Sequence, residues 1–166
     1  PELAKQLLEE SSYNGEQVVI LTARENMDEY NMTVVIEESL KNIGMDVVLE
    51  ESDYGTILEK REDENVWDIF ITSFAIRPMP TQYLFLNPEW FGWTDSEELK
   101  SLADKILNAS SPEEAQSYKD DYHRAFWEYL PVLKPGNKTG ITAYRSNIEG
   151  FQHLTGPIVW NVKKTD

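Results

Sequence analysis

By residue type, His123 and His153 are the side chains best suited to acid/base or metal chemistry. Asp120 and His123 are three apart on a predicted helix, which places both on one face. No third ligand sits nearby and the adjoining positions are aromatic, so both histidines read first as structural or solvent-facing. A small acidic hydrolase using His123 with Asp120 is the enzyme reading these residues leave open. No nucleophile elbow, phosphate-binding loop, H-E-x-x-H pair or EF-hand spacing occurs. The chain has no cysteine, which excludes disulfides, thiolate zinc sites and cysteine nucleophiles. The residues therefore call for no metal and no cofactor. Carboxylates come as adjacent pairs, at Glu9-Glu10, Glu37-Glu38, Glu50-Glu51 and Glu113-Glu114. Neighbours in a helix or strand do not face each other, so these read as a solvated acidic surface. Sequons at Asn31, Asn108 and Asn137 signify glycosylation only in a eukaryotic secretory route.

Binding chemistry has better candidates. Tyr83, Phe85, Trp90, Phe91 and Trp93 suit a stacking platform for a sugar or peptide, or packing beneath a long loop. Arg77 lies between an apolar strand and Pro78. A guanidinium there can meet an anionic ligand group bidentately, or pair with one of the chain's own carboxylates.

The elements that must position these residues are legible in the hydrophobic pattern. With 166 residues, the chain is one domain at about 150 residues per domain. Hydrophobic residues make up 40% and aromatics 11%, enough for a core. The formal charge of −15 repels a phosphate backbone and excludes nucleic acid as a partner. No apolar run of about 18 residues could span a bilayer, and no basic leader precedes an apolar stretch. Pro1-Glu2-Leu3 reads as the first turn of a helix lacking its cap, which suggests a piece of a longer protein.

Leu3, Ala4, Leu7 and Leu8 form a helical stripe that stops at the turn cluster Ser11 to Gly15. Gln17 to Thr22 is a strand, followed by a helix capped by Asn26, carrying Tyr30, Val34, Ile36, Leu40 and Ile43 and ended by Gly44. Asp46 to Glu50 is a second strand, Tyr54 to Glu62 a short helix, and Trp67 to Ser73 a third strand. The order βαβαβ requires parallel strands, whose carboxyl ends share one edge of the sheet, where ligands of open α/β sheets bind. That edge holds Ala23-Arg24, Ser52 to Tyr54, and the proline-shaped loop Phe74 to Pro80. Capping boxes at Asp95/Glu98 and Ser111/Glu114 open two further helices. The first carries Leu99, Leu102, Ala103, Ile106 and Leu107; the second carries Ala115, Tyr118, Tyr122, Ala125, Phe126 and Tyr129 and is stopped by Pro131. Gly140 to Arg145 reads as another strand, before a tail punctuated by Gly and Pro.

The ordered segments PELAKQLLEESSYNGEQVVILT, KNIGMDVVLEESDYGTILEK, VWDIFITSFAIRPMPTQYLF, FGWTDSEELKSLADKILNASSPEEAQSYKDDYHRAFWEYLPVL and KTGITAYRSNIEGF resemble one known family. They look like the C-terminal lobe of the extracytoplasmic solute-binding proteins of peptide, dipeptide and nickel ABC importers. The resemblance implies an α/β, periplasmic-binding-protein-like type II lobe with a βαβαβ sheet flanked by helices. It implies residues 1–166 as a single domain, with about 131–166 crossing back toward an N-terminal lobe absent from this chain. The export signal and its anchoring cysteine, which would place the protein at the cell surface or in the periplasm, would also be absent. The implied function is capture of a peptide or other small solute between two lobes, without catalysis or cofactor, for a membrane permease. A sensor that presents its ligand to a signalling receptor is the alternative.

Carried over position by position, the resemblance makes Tyr54 an aromatic lining the cleft and Arg61 a basic residue that neutralises a ligand carboxylate. Phe74 becomes the aromatic opening the cleft loop, with Ala75, Ile76 and Arg77 following it. Where peptide-binding members commonly place an Asp for the peptide ammonium, this chain has Arg77, which favours an acidic or blocked ligand.

Overall fold

Strand β1 (Val18–Thr22) is the central strand of a three-stranded sheet of order β2-β1-β3, with β2 at Val47–Glu51 and β3 at Ile69–Phe70. Both pairings are parallel, Val18 opposite Val47 and Ile20 opposite Ile69. The computed structural model describes residues 1–153 and 156–165. Helix α1 spans Glu2–Glu10, α2 Met27–Ile43 and α3 Tyr54–Lys60, so the predicted βαβαβ order is present.

Alternation along β1 sends Leu21 and Ala23 to one face and Ile20 and Thr22 to the other. Leu21 and Ala23 are buried with Ile57 of α3, against Trp67 and Phe70. Thr22 donates its hydroxyl to that of Thr33 on α2 at 3.4 Å, so α2 covers the opposite face. A parallel strand buried on both faces needs the continuous apolar run that this one has. Gly44 closes α2 in the left-handed region, φ 108°, its N–H bonding the carbonyls of Leu40 and Lys41.

Two expectations here need correction. The third strand is two residues rather than Trp67 to Ser73. The Asp68 N–H donates to the Val19 carbonyl at 2.9 Å. The Val19 N–H returns not to a backbone carbonyl but to the Asp68 carboxylate at 2.8 Å. Beyond Phe70, Ser73 bonds Glu29 instead of continuing the ladder. Second, α1 forms, but Leu3 and Leu7 of its stripe are exposed among the described residues.

The described residues form two compact units: Pro1–Phe74 with Phe85–Asp95, and Ala75–Leu84 with the chain from Ser96 onward. In the second, α4 (Glu97–Leu107) packs on α5 (Pro112–Tyr129) through Leu99, Leu102, Ile106, Tyr122 and Ala125. The cap of α4 is Ser96, one residue beyond the predicted Asp95; its hydroxyl accepts the Leu99 N–H at 3.3 Å. Ser111 caps α5 as expected, accepting the Glu114 N–H at 3.1 Å, with Pro112 beginning the helix. Leu130, at φ 52°, ends α5 just before Pro131. Residues 140–145, predicted as a strand, are irregular, and Ile141 is 96% exposed. The described residues after 145 pair only among themselves, β4 (Ile148–Glu149) with β7 (Lys163–Lys164) and β5 (Gln152–His153) with β6 (Pro157–Ile158), and none of them pairs with 140–145.

Candidate ligand-binding edge of the sheet

Within the first unit, the chain leaves the strands at Ala23, Ser52 and Ile71. At the second exit, Asp53 caps α3, its carboxylate accepting the Thr56 N–H at 3.1 Å and the Thr56 hydroxyl at 2.6 Å. Those bonds, the hydroxyl's foremost, hold Asp53 below the usual carboxylate range. The cap fixes the start of the helix and so the place of the next residue, Tyr54, which is 43% exposed. Lys60, at the end of α3, pairs with Glu50 and reaches the Ser52 hydroxyl at 3.3 Å.

Arg61 follows. Its guanidinium lies 3.9 Å from the Phe91 ring centre and 6.0 Å from that of Phe70, the last residue of β3. Its Nε is buried with no hydrogen-bond partner among the described residues. The Trp67 indole N–H donates to the Arg61 carbonyl at 3.2 Å.

Past the third exit, Phe74 is 36% exposed and packs edge-to-face on Phe85, centres 5.2 Å apart, and against Trp90 at 5.5 Å. Phe91 meets Phe70 at 5.7 Å and Trp93 stacks on Trp67 at 5.7 Å. For Phe85, Trp90, Phe91 and Trp93, then, the structure takes the packing reading. Ala75, Ile76 and Arg77 belong to the second unit and are exposed. The Arg77 N–H donates to the Tyr83 hydroxyl at 3.1 Å, and a 3-10 turn at Pro80–Gln82 lies between the two. Among the described residues, no carboxylate pairs with the Arg77 guanidinium.

Two polar groupings at this edge were not expected. Arg24 pairs with Glu51 at 2.6 Å and stands 5.4 Å over the Tyr30 ring, while the Tyr30 hydroxyl donates to Glu51 at 3.2 Å. The bond from Arg24 holds the Glu51 carboxyl below its ordinary range. Glu29 accepts from the hydroxyl of Ser73, 44 residues further along the chain. The only signal available in the sequence is that both lie in segments next to strand exits.

His123 is exposed on α5 and makes no hydrogen bond among the described residues, while Asp120 accepts from Gln116 at 2.9 Å. Among the described residues no group of His, Asp and Glu could hold a metal ion.

Comparison with known proteins agrees with this architecture. No protein-family model matches the chain. It is 30% identical over 175 residues to the probable peptide ABC transporter periplasmic-binding protein y4tO of Sinorhizobium fredii, an alignment covering 99% of this chain and 33% of that protein. This chain is homologous to the solute-binding proteins of peptide ABC importers. The oligopeptide-binding protein AppA of Bacillus subtilis is a second relative, 22% identical, with 97% of this chain and 33% of AppA covered. The chain thus spans about a third of the length of the curated relatives it matches. These importer relatives are binding proteins, not enzymes.

Solved structures give the fold. The dipeptide-binding protein of Pseudoalteromonas sp. SM9913 in complex with Met-Leu superposes with a TM-score of 0.71 at 19% identity, over 99% of this chain and 36% of that one. AppA with a nonapeptide gives 0.71 at 17%, over 99% and 37%. NikA of Staphylococcus aureus with Ni(L-His)2 gives 0.70 at 15%, over 99% and 38%. The chain accordingly has the α/β fold of periplasmic binding proteins, a parallel sheet flanked by helices.

Proposed function

We propose that the protein carrying this segment binds a peptide or related small solute in a cleft between two lobes and delivers it to an ABC permease, outside the cytoplasm. The observation that carries this reading is the edge where three parallel strands end, with two part-exposed aromatics just beyond it, Tyr54 and Phe74. Exposed aromatic faces can cover apolar solute surface, and polar groups then fix the solute's ends. Arg61, beside Phe70, is a further proposed contact in this unit, and Ala75, Ile76 and Arg77 are proposed solute contacts of the second unit. An exposed guanidinium with no carboxylate partner among the described residues supports an anionic group on the solute near Arg77.

Native mass spectrometry of the full-length protein should reveal a co-purified small solute. Calorimetry with that solute should then show Arg77→Asp lowering affinity about tenfold or more, the loss expected for one charge-assisted contact. Unchanged affinity takes Arg77 out of the site. A full-length protein that binds no solute of this class overturns the reading.

A further inference from the structure

Asn14-Gly15 is the one Asn-Gly pair of the chain, and it stands in the turn that joins α1 to β1. Asparagine is a thermolabile residue. Before glycine it is most so, because the next residue has no side chain to keep its backbone nitrogen away from the amide carbon. Elsewhere larger residues follow: isoleucine after Asn42 and Asn147, valine after Asn65 and Asn161, with branched side chains that crowd the same approach.

The fold leaves both reacting groups open. Asn14 and Gly15 are exposed, and Gly15, at φ 89°, has nothing within 4 Å of the place a Cβ would take. Among the described residues, neither the Asn14 side-chain amide nor the Gly15 N–H makes a hydrogen bond. By contrast, the side-chain amides of Asn26, Asn65 and Asn108 donate to Glu29, Asp63 and the Asp104 carbonyl. What is held at the turn is the backbone around the pair. The Asn14 N–H donates to the Glu16 carboxylate at 2.7 Å. The Tyr13 hydroxyl donates to the Glu16 carbonyl at 2.8 Å and accepts the Asp46 N–H at 2.8 Å. Tyr13 thereby ties the turn to the residue that precedes β2, bridging across Asn14 and Gly15.

We infer that Asn14 is a site of spontaneous deamidation through a succinimide closed with Gly15, and that its isoaspartate product releases the Tyr13 tie to Asp46. The Gly15 nitrogen gives up its proton and bonds to Asn14 Cγ. The Cγ–Nδ2 bond breaks, and Nδ2 leaves as ammonia, taking up the proton that the glycine lost. Water then opens the imide at either carbonyl, with no oxidant or reductant involved. Breaking the new bond leaves aspartate; breaking the original peptide bond leaves isoaspartate, whose main chain runs through Cβ and Cγ and is one atom longer. That extra atom falls between residues 13 and 16, the span closed by the Tyr13 and Glu16 bonds. Either product also adds a carboxylate two residues from Glu16, whose own carboxyl is held below the usual range, by the Asn14 N–H foremost, and so is charged.

The test ages the full-length protein at mildly alkaline pH, folded and unfolded in urea, and maps its peptides by mass spectrometry, with an isoaspartate-specific methyltransferase marking the product. In the folded protein Asn14 should convert at close to the rate of the unfolded chain, gaining the mass difference between NH2 and OH, while Asn42 and Asn65 stay intact. Gly15→Ala should slow the conversion severalfold. Asn14→Gln, whose longer side chain cannot close the five-membered ring, should abolish it, and serves if the alanine variant does not fold. A folded protein that keeps the Asn14 amide while the unfolded chain loses it, or undiminished conversion in Gly15→Ala, overturns the site. Hydrogen exchange reads the tie: the Asp46 amide should exchange faster in the isoaspartate fraction than in fresh protein. In Asn14→Asp, which adds the charge without the extra backbone atom, it should keep the fresh rate. Unchanged Asp46 exchange in the isoaspartate fraction overturns the release.

Discussion

Arg61→Met separates what this arginine does for the fold from what it does for a solute. The substitution removes a guanidinium 3.9 Å from the Phe91 ring, a contact worth about 2 kcal/mol when shielded from water. It also removes an Nε–H buried without a partner, which returns about 1–3 kcal/mol. Methionine keeps a flexible apolar stem against the rings, and the bond from the Trp67 indole goes to the backbone carbonyl, which survives any side-chain change. The two large effects nearly cancel, so stability should change by less than about 1 kcal/mol, a shift of no more than about 2–4 °C in the melting midpoint. If Arg61 also meets a solute carboxylate, losing that charge-assisted bond should cut affinity about tenfold or more. Thermal melts followed by circular dichroism, with calorimetry on the full-length protein, read both quantities. A drop several times larger in the midpoint would show that the cation on Phe91 outweighs its unpaired donor and refute the cancellation. An unchanged affinity would confine Arg61 to packing.

Three further outcomes follow from the packing and titration. Ile57→Ala, emptying a site 1% exposed between α3 and β1, should cost about 2–5 kcal/mol, read by urea unfolding. Gly44→Ala meets nothing within 4 Å but must hold φ 108°, so about 1 kcal/mol of backbone strain should appear in the same assay. Burial pushes the Tyr122 phenol from its ordinary value of 10.0 up to about 12. Its contribution to stability is therefore complete below about pH 10 and lost as pH rises toward 12. Tyr122→Phe should flatten that alkaline decline in melting midpoint, and an identical slope in both proteins would assign the decline elsewhere.

The supports of the candidate edge were legible where a local pattern was sufficient. The run Val18 to Leu21 announces a strand buried on both faces, and Gly44 can end α2 because no side chain opposes its left-handed backbone. From strand order alone, Tyr54 and Phe74 could be placed beyond strand exits, and they lie there. Failures occurred where a side chain took over a backbone role: the Asp68 carboxylate in the β1–β3 pairing, and Ser96 in place of its neighbour Asp95 at the cap. The stretch Gly140 to Arg145 has the composition of a strand, yet a strand also needs a partner, and none of the described strands pairs with it. The contact between Glu29 and Ser73 was invisible because it joins residues 44 apart, and no short-range periodicity encodes it.

Of the three described strands of this sheet, the middle one is synthesised first. The mate on one flank of Val18–Thr22 emerges only with residues 47–51, and the mate on the other waits for Ile69. A nascent chain halted before residue 47 presents VVILT without either of these mates, a template for pairing with copies of itself. Truncations ending near Gly44 should therefore precipitate during translation, while the acidic first helix upstream gives the exposed run its nearest electrostatic guard.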